Sequence, residues 1–388
     1  MGSVARHGSG PAAVARAYGS QVHPVFMLPP VAAAVFGAVV GGGPTVNTTG
    51  TLAHVGTVFA AVYTAHVKDG YVDFHRRGED DDHPLTPYGC RVGLVSSTVL
   101  FACCLAALFV ASGATATALA APTWVIGYLH APQSDTNPVT ATLGYPVGVG
   151  LAVLGGTAAV AGTVGTQSLL LAGVLLVVLA GVKIVDDATD REYDRSIDKR
   201  TVAVALGTRR ARRLAGWLMG LGCFGLVAAV VAGHLPLTAA LAPIPFGVVA
   251  LWSRGVSPRV ATMLLVRGAY LLFAVLFLAV AFRPLSSVPL PDVGILGPYT
   301  YLATEVAFGA LAFVLLVRAD ALGRALRTTA VLYPLAYVWD WYTLEIGVFS
   351  IPLRTGVELL GIPLEEHLFM VIVPCLVVGV HEAIHGGD

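Results

Sequence analysis

Two groups of acidic residues in this chain have the types and spacing for metal-assisted chemistry. In the stretch KIVDDATDREYDRSIDKRTVAVALG, from Lys183 to Gly207, Asp186, Asp190, Asp194 and Asp198 recur every four residues. On a continuing helix that interval stacks them along one gently drifting face, where unpaired carboxylates repel. A second group, KDGYVDFHRRGEDDDHPLT from Lys68 to Thr86, again sets two aspartates four apart, Asp69 and Asp73. Twelve of the 23 acidic residues fall in these two groups, a concentration that solvated loops do not require. Lys183, Arg191, Arg195, Lys199 and Arg200 are interleaved with the Asp186 series, so a salt-bridged helix end competes with a metal site. Mg2+ binds one or two carboxylates per ion, keeps some waters and takes substrate phosphate oxygens for the rest of its shell. Two facing carboxylate pairs can therefore clamp a diphosphate, and the metal neutralises charge as the C–O bond breaks. An allylic diphosphate would ionise to a carbocation, with its isoprenoid tail in the apolar space between helices.

Each acidic group follows an apolar run, and the composition says what those runs are. With 56% apolar and 12% charged residues and a mean hydropathy of +0.77, the chain is far from a soluble domain, in which about a quarter of residues are charged. It reads as an all-α integral membrane protein. Zero net charge implies no bulk attraction to nucleic acid or anionic lipid. Cys90, Cys103, Cys104, Cys223 and Cys375 lack disulfide or metal-ligand spacing and read as packing residues. Runs of about 20 apolar residues predict twelve transmembrane helices, near 24–44, 51–67, 92–112, 114–130, 141–163, 167–185, 212–233, 236–252, 260–282, 297–317, 326–348 and 364–384. Charge supports the count. One side holds Arg6, Arg16, Lys68 to Arg91, Lys183 to Arg213, Arg254, Arg259 and Arg318 to Arg327, and the other only Arg283 and Arg354. By the positive-inside rule the chain is a multi-pass protein of the cell membrane, with both termini and both acidic groups cytoplasmic. The acidic groups then end helices two and six. Four helices separate them, which would make the halves parallel rather than inverted repeats. Residues 1–20, rich in Gly, Ala, Ser and Arg, read as a disordered tail.

These features resemble the UbiA-type intramembrane prenyltransferases, whose nine helices carry NDxxDxxxD after helix two and DxxxD after helix six. Asp69 and Asp73 match the first motif, with Lys68 in place of the Asn, and His83, Pro84 and Leu85 resemble its basic-Pro-Leu ending. Asp190 and Asp194 match the second, followed by Thr201 and Gly207 as in the family. HPVFMLP from His23 resembles the start of helix one, and Tyr128 to Pro132 the end of helix four. The loop HAPQSDTNPVT lacks the Lys that the family often carries after helix four. The resemblance covers about residues 15–283. It implies Mg2+ held by Asp69, Asp73, Asp186, Asp190 and Asp194, with Lys68, Lys183, Arg191 and Arg267 as candidates for the diphosphate.

Beyond a Pro- and Gly-punctuated linker at 284–296, WDWYTLEIGVFS from Trp339 and GIPLEEHLFMVIVP from Gly361 resemble one three-helix half of the membrane lycopene cyclases. That family works as two halves, so a second half domain or self-association is implied as partner. Carboxyls in low dielectric favour the protonated form. Asp340, Glu365 or Glu366 could therefore protonate a polyene end group, and Trp339, Trp341 and Tyr342 could face the resulting cation. Alternatively, Glu365 or Glu366 pairs with Arg354 and fixes a loop. His381-Glu382-Ala383-Ile384-His385 fits HExxH, but its place at the C-terminus argues for a helix-end His pair. Asp320 and Arg324 read as an exposed ion pair.

The reading is a nine-helix UbiA-like prenyltransferase domain at 21–283 and a three-helix lycopene-cyclase-like half domain at 297–388. Its expected activity is Mg2+-dependent transfer of an isoprenyl group from a prenyl diphosphate to a lipophilic isoprenoid or carotenoid acceptor. Proton-initiated cyclisation, an isomerase reaction, would follow in the half domain. The alternatives are a terpene cyclase, in which the donor's own double bond attacks, and a degenerate carrier of lipid or ions.

Overall fold

The computed structural model describes residues 3–42, 47–283 and 293–385. The chain forms two compact units, Met1–Ser287 and Val288–Asp388. The first is built from α1 (Pro11–Gly19), α2 (Pro24–Gly42), α3 (Thr48–Val72), α4 (Pro87–Leu129), α5 (Pro138–Ala161), α6 (Thr166–Asp187), α7 (Arg191–Ser196), α8 (Val202–Leu206), α9 (Thr208–Val231), α10 (Pro243–Trp252) and α11 (Pro258–Phe282). The second holds α12 (Thr300–Arg318), α13 (Leu322–Glu345), a two-residue hairpin of β1 (Glu358–Leu359) and β2 (Ile362–Pro363), and α14 (Leu364–His385).

Caps and prolines start the long helices where the sequence changes character. Asn47 accepts from Gly50 N at 3.1 Å to open α3, and Thr86 accepts from Gly89 N at 3.0 Å ahead of Pro87 in α4. Among the described residues nine helices are long and apolar enough to cross a membrane. One of them, α4, holds two expected spans, bent at Gly113 where φ is 78°. The expected spans at 51–67 and 326–348 fall on α3 and α13, which are outside that set. Both are long enough, but α3 carries His54, His66, Lys68 and Asp69, and α13 carries Arg324, Arg327, Asp340 and Glu345. Their polar residues are the ones with chemical potential.

Small residues let the helices of the first unit approach backbone to backbone. A Cβ on Gly37 of α2 would lie 2.0 Å from Val153 O of α5, and one on Gly156 of α5 would lie 2.2 Å from Ala34 O. Thr157 Oγ1 donates to Gly37 O at 3.0 Å across the same seam. This is the small-residue packing that lipid favours, because apolar side chains gain nothing there by leaving lipid for protein. Phe36 adds an edge-on contact to Phe273, with centroids 5.3 Å apart, tying α2 to α11.

Residues 3–20 are folded, which corrects the expected disordered tail. Ala5 forms an antiparallel bridge with Leu85, Arg6 N donates to Pro84 O at 2.9 Å, and His7 Nε2 lies 2.9 Å from Asp82 Oδ2. Partners far along the chain order this segment, and its composition alone does not reveal them. Residues 284–292 of the expected linker lie outside the described residues, and 293–299 form a 3-10 helix.

Overpacking a close helix seam typically costs about 1–3 kcal/mol. Gly156→Leu should therefore lower the thermal unfolding midpoint of the detergent-solubilised protein. Gly173→Ala, whose added Cβ meets nothing within 4 Å, should not. Equal midpoints for the two variants would contradict the α2–α5 seam.

Candidate active site

α3 delivers the first acidic pair. Val58, Ala61, Val62, Ala65, His66, Asp69 and Asp73 line one cavity of about 1250 Å³, and their intervals put them on one helix face. Beyond Val72 the chain tightens into a π-helical turn, Asp73–Arg77, closed by Gly78 at φ 66°. α6 delivers the second group, with Leu175, Leu179, Val182, Lys183, Asp186 and Asp187 lining the same cavity. The uninterrupted helix expected from the Asp186 series is not formed. α6 ends at Asp187 and Asp190 precedes α7. Asp187, one turn after Lys183 on α6, lines the cavity beside Asp186, Asp190 and Asp194, while Asp198 stays exposed at φ 58°.

The acidic end of the cavity is under-neutralised. Ten carboxylates line it, against the side-chain cations Arg77, Lys183, Lys199 and Arg267. Lys183 Nζ lies 2.7 Å from Asp187 Oδ1 and 3.1 Å from Asp186 Oδ2. Arg77 bridges Asp73 at 3.2 Å and Asp135, in the loop after α4, at 2.8 Å. Arg200 N donates to Asp135 O at 2.6 Å, so with Arg77 the segments after α3, α4 and α7 are knitted around the acids. Burial, with help from Asp69 and Glu79, pushes Asp73 up to about 7 despite Arg77. Burial likewise raises Asp194, only partly offset by Lys199 at 3.5 Å. Asp187 Oδ2 and Asp194 Oδ2 are buried without any hydrogen-bond partner. Two orphaned carboxylate oxygens on one acid-rich wall are a donor set that fits a hard divalent cation.

Lys68 and Arg191 are not among the lining residues. Lys68 is buried and donates to the Tyr128 carbonyl and to Gln133 Oε1 at 2.9 Å, with its Nζ 3.9 Å from the Tyr128 ring centroid. It thus brings a cation to the end of α4, into a closed seat rather than the cavity. Arg191 faces a separate depression of about 330 Å³ and donates from Nε to Ala203 O at 3.0 Å. Arg267 does line the main cavity. His75, His83 and Cys90 cluster closely enough to hold a metal. Both histidines, however, already engage the Leu85 carbonyl, at 3.0 and 3.2 Å, and so fix the turn after the first motif.

In the second unit, Glu365 Oε1 accepts from Thr355 N at 2.6 Å and from Thr355 Oγ1 at 2.7 Å. Arg354 pairs instead with Glu358, at 3.2 Å. Glu365 therefore fixes a loop, but through Thr355. Glu366 interacts electrostatically with Asp340, with Glu305 and Tyr301 nearby. Neighbouring carboxyls disfavour each other's ionisation, because like charges repel most where water is scarce. Glu305 is buried within the apolar run of α12 and has no motif around it, so sequence reasoning missed it. Trp339, Trp341 and Tyr342 are exposed rather than folded over these acids. Arg324 pairs with Glu382 at 2.9 Å, not with Asp320, and the side chain of His385 lies outside the described residues.

Residues 27–260 match the UbiA prenyltransferase family, and residues 298–384 match lycopene cyclase. No curated protein matches the chain. Among solved structures, one described as digeranylgeranylglyceryl phosphate synthase in membranes has a TM-score of 0.53 at 14% identity, covering 69% of this chain and 98% of its own. That similarity shows the fold. A UbiA homolog from Aeropyrum pernix K1 has a TM-score of 0.48 at 17% identity, covering 66% of this chain and 98% of its own. Another, from Archaeoglobus fulgidus and bound to GPP and Mg2+, has a TM-score of 0.44 at 14% identity over 68% and 99%. Because the matched segment spans more than half the chain and both aspartate motifs, this multi-pass membrane protein belongs to the UbiA prenyltransferase family, with a lycopene cyclase domain following it.

Proposed function

We propose that the first unit transfers an isoprenyl group from an allylic prenyl diphosphate to a lipophilic isoprenoid or carotenoid acceptor, with Mg2+, at the cytoplasmic face of the cell membrane. The observation that carries this reading is the two-ended cavity. Asp69, Asp73, Asp186, Asp187, Asp190 and Asp194 line one end, and Phe26, Leu28, Val62, Val149, Leu175 and Phe273 are among its apolar walls. Those six aspartates would hold Mg2+, which when bound neutralises the departing diphosphate. Lys183, fixed by Asp186 and Asp187, and Arg267 are the cations placed to meet phosphate oxygens. Arg77 holds Asp73 and the Asp135 loop in position. The apolar walls exclude water from the allylic cation and leave room for the acceptor.

In the second unit, the Asp340–Glu366 pair would supply the proton that starts end-group cyclisation. Trp339, Trp341 and Tyr342 are exposed rather than folded over this pair, which leaves room for a partner half, from another chain or a second copy, to cover it.

Incubation with dimethylallyl or geranylgeranyl diphosphate and Mg2+, with and without lycopene, tests the transfer. Diphosphate release with a product of donor plus acceptor mass is expected, whereas a donor-derived hydrocarbon would favour a terpene cyclase, and no release a carrier. Asp69→Ala and Asp190→Ala should abolish Mg2+-dependent release in folded protein. Asp187→Asn should weaken the Mg2+ dependence by about 10- to 100-fold, the usual cost of disturbing a metal site. Wild-type rates in all three would reduce these aspartates to surface charge. With the partner half supplied, Glu366→Gln should stop cyclisation and leave prenyl transfer intact, and an unchanged ring yield would remove Glu366 as the acid.

A further inference from the structure

Transfer to a carbon acceptor leaves a proton to be removed, and the six aspartates assigned to Mg2+ are poorly suited to take it. The donor's C–O bond breaks and its electron pair leaves with the diphosphate. The acceptor's double bond then attacks the allylic carbon, forming a C–C bond and a new cation on the acceptor. Loss of a proton from the neighbouring carbon restores a double bond. The base must therefore sit just on the apolar side of the metal-binding aspartates.

His66 occupies that depth. It lies three residues before Asp69, about 4.5 Å along the helix axis at 1.5 Å per residue, on the α3 face that runs from Val58 and Val62 to Asp69 and Asp73. Neither of its ring nitrogens has a hydrogen-bond partner among the described residues, and it is partly accessible from the cavity. Three other polar groups that line the cavity are occupied. Tyr145 donates to Phe26 O at 3.3 Å, Tyr270 donates to Val25 O, and Lys183 is a protonated amine held by two carboxylates. The His23 ring lies 5.0 Å from that of His66, on the side where Ser20 and Gln21 also line the cavity.

We propose that His66 is the general base that removes the proton from the acceptor cation after the new C–C bond forms, with His23 next in line to receive it. This rests on the transferase reading above. The residues are those of this chain's cavity wall, and the neutral imidazole becomes imidazolium as the double bond forms.

The test measures olefinic coupled product per diphosphate released, with dimethylallyl diphosphate, Mg2+ and lycopene. His66→Ala should lower that ratio at least tenfold, in line with the 10²–10⁴ that general bases contribute. The shortfall should appear as donor-derived alcohol or hydrated adduct, and added imidazole should restore the olefin. His66→Gln, which keeps the volume and loses the basicity, should behave the same without imidazole and retain the wild-type unfolding midpoint. An unchanged ratio in both variants, or a loss that imidazole does not rescue, would overturn the assignment. Absence of diphosphate release from the wild-type protein would overturn the transferase reading itself, and this inference with it.

Discussion

Carboxylates that converge on one cavity repel, and the first unit is organised around that repulsion. Two unit charges about 4 Å apart interact by about 4 kcal/mol at an effective dielectric of 20. Arg77 offsets part of this by bridging Asp73 and Asp135 on different segments, and Lys183 and Lys199 by pairing with acids of their own stretch. What remains is visible in Asp73, pushed up to about 7, and in the orphaned oxygens of Asp187 and Asp194. A site that is left wanting positive charge, and opens onto apolar walls, is one prepared for a cation and an amphipathic anion together. The loops tied together by Arg77 and Arg200 hold the acids against relaxing apart.

Much of this was legible in the sequence because it depends on local periodicity. Asp69 and Asp73 share a helix face at i,i+4, and Asp186, Asp190 and Asp194 repeat the interval. The rest depends on geometry that spacing does not encode. Lys68 is adjacent to Asp69, and adjacent residues on a helix differ by about 100° in direction, so Lys68 turns to the end of α4. Asp187 lies off the aspartate series and shares instead the α6 face of Leu175, Leu179 and Lys183, so the carboxylate pattern alone passes over it. Arg77 and Asp135 are 58 residues apart, and no pattern in either loop announces their contact. The folded N-terminal segment was hidden for the same reason, since its bridge to Leu85 is set by a distant partner.

In the second unit the double glutamate divides its labour by the same rule. Glu365 and Glu366 are neighbours and point differently, one to the Thr355 loop and the other to Asp340. The loop contact falls to Glu365 alone, and Glu366 is left beside another acid.

The central claim is that both aspartate groups grip one metal-bound diphosphate. Its most direct measurement is a structure of the full chain with Mn2+ and a non-ionising thiolodiphosphate analogue of the donor, located by anomalous scattering. The account predicts metal peaks about 2.0–2.2 Å from carboxylates of both α3 and the α6–α7 segment, bridged by the analogue's phosphates, with its tail along the apolar wall. Metal on one group alone, or an analogue seated outside the cavity, would contradict it.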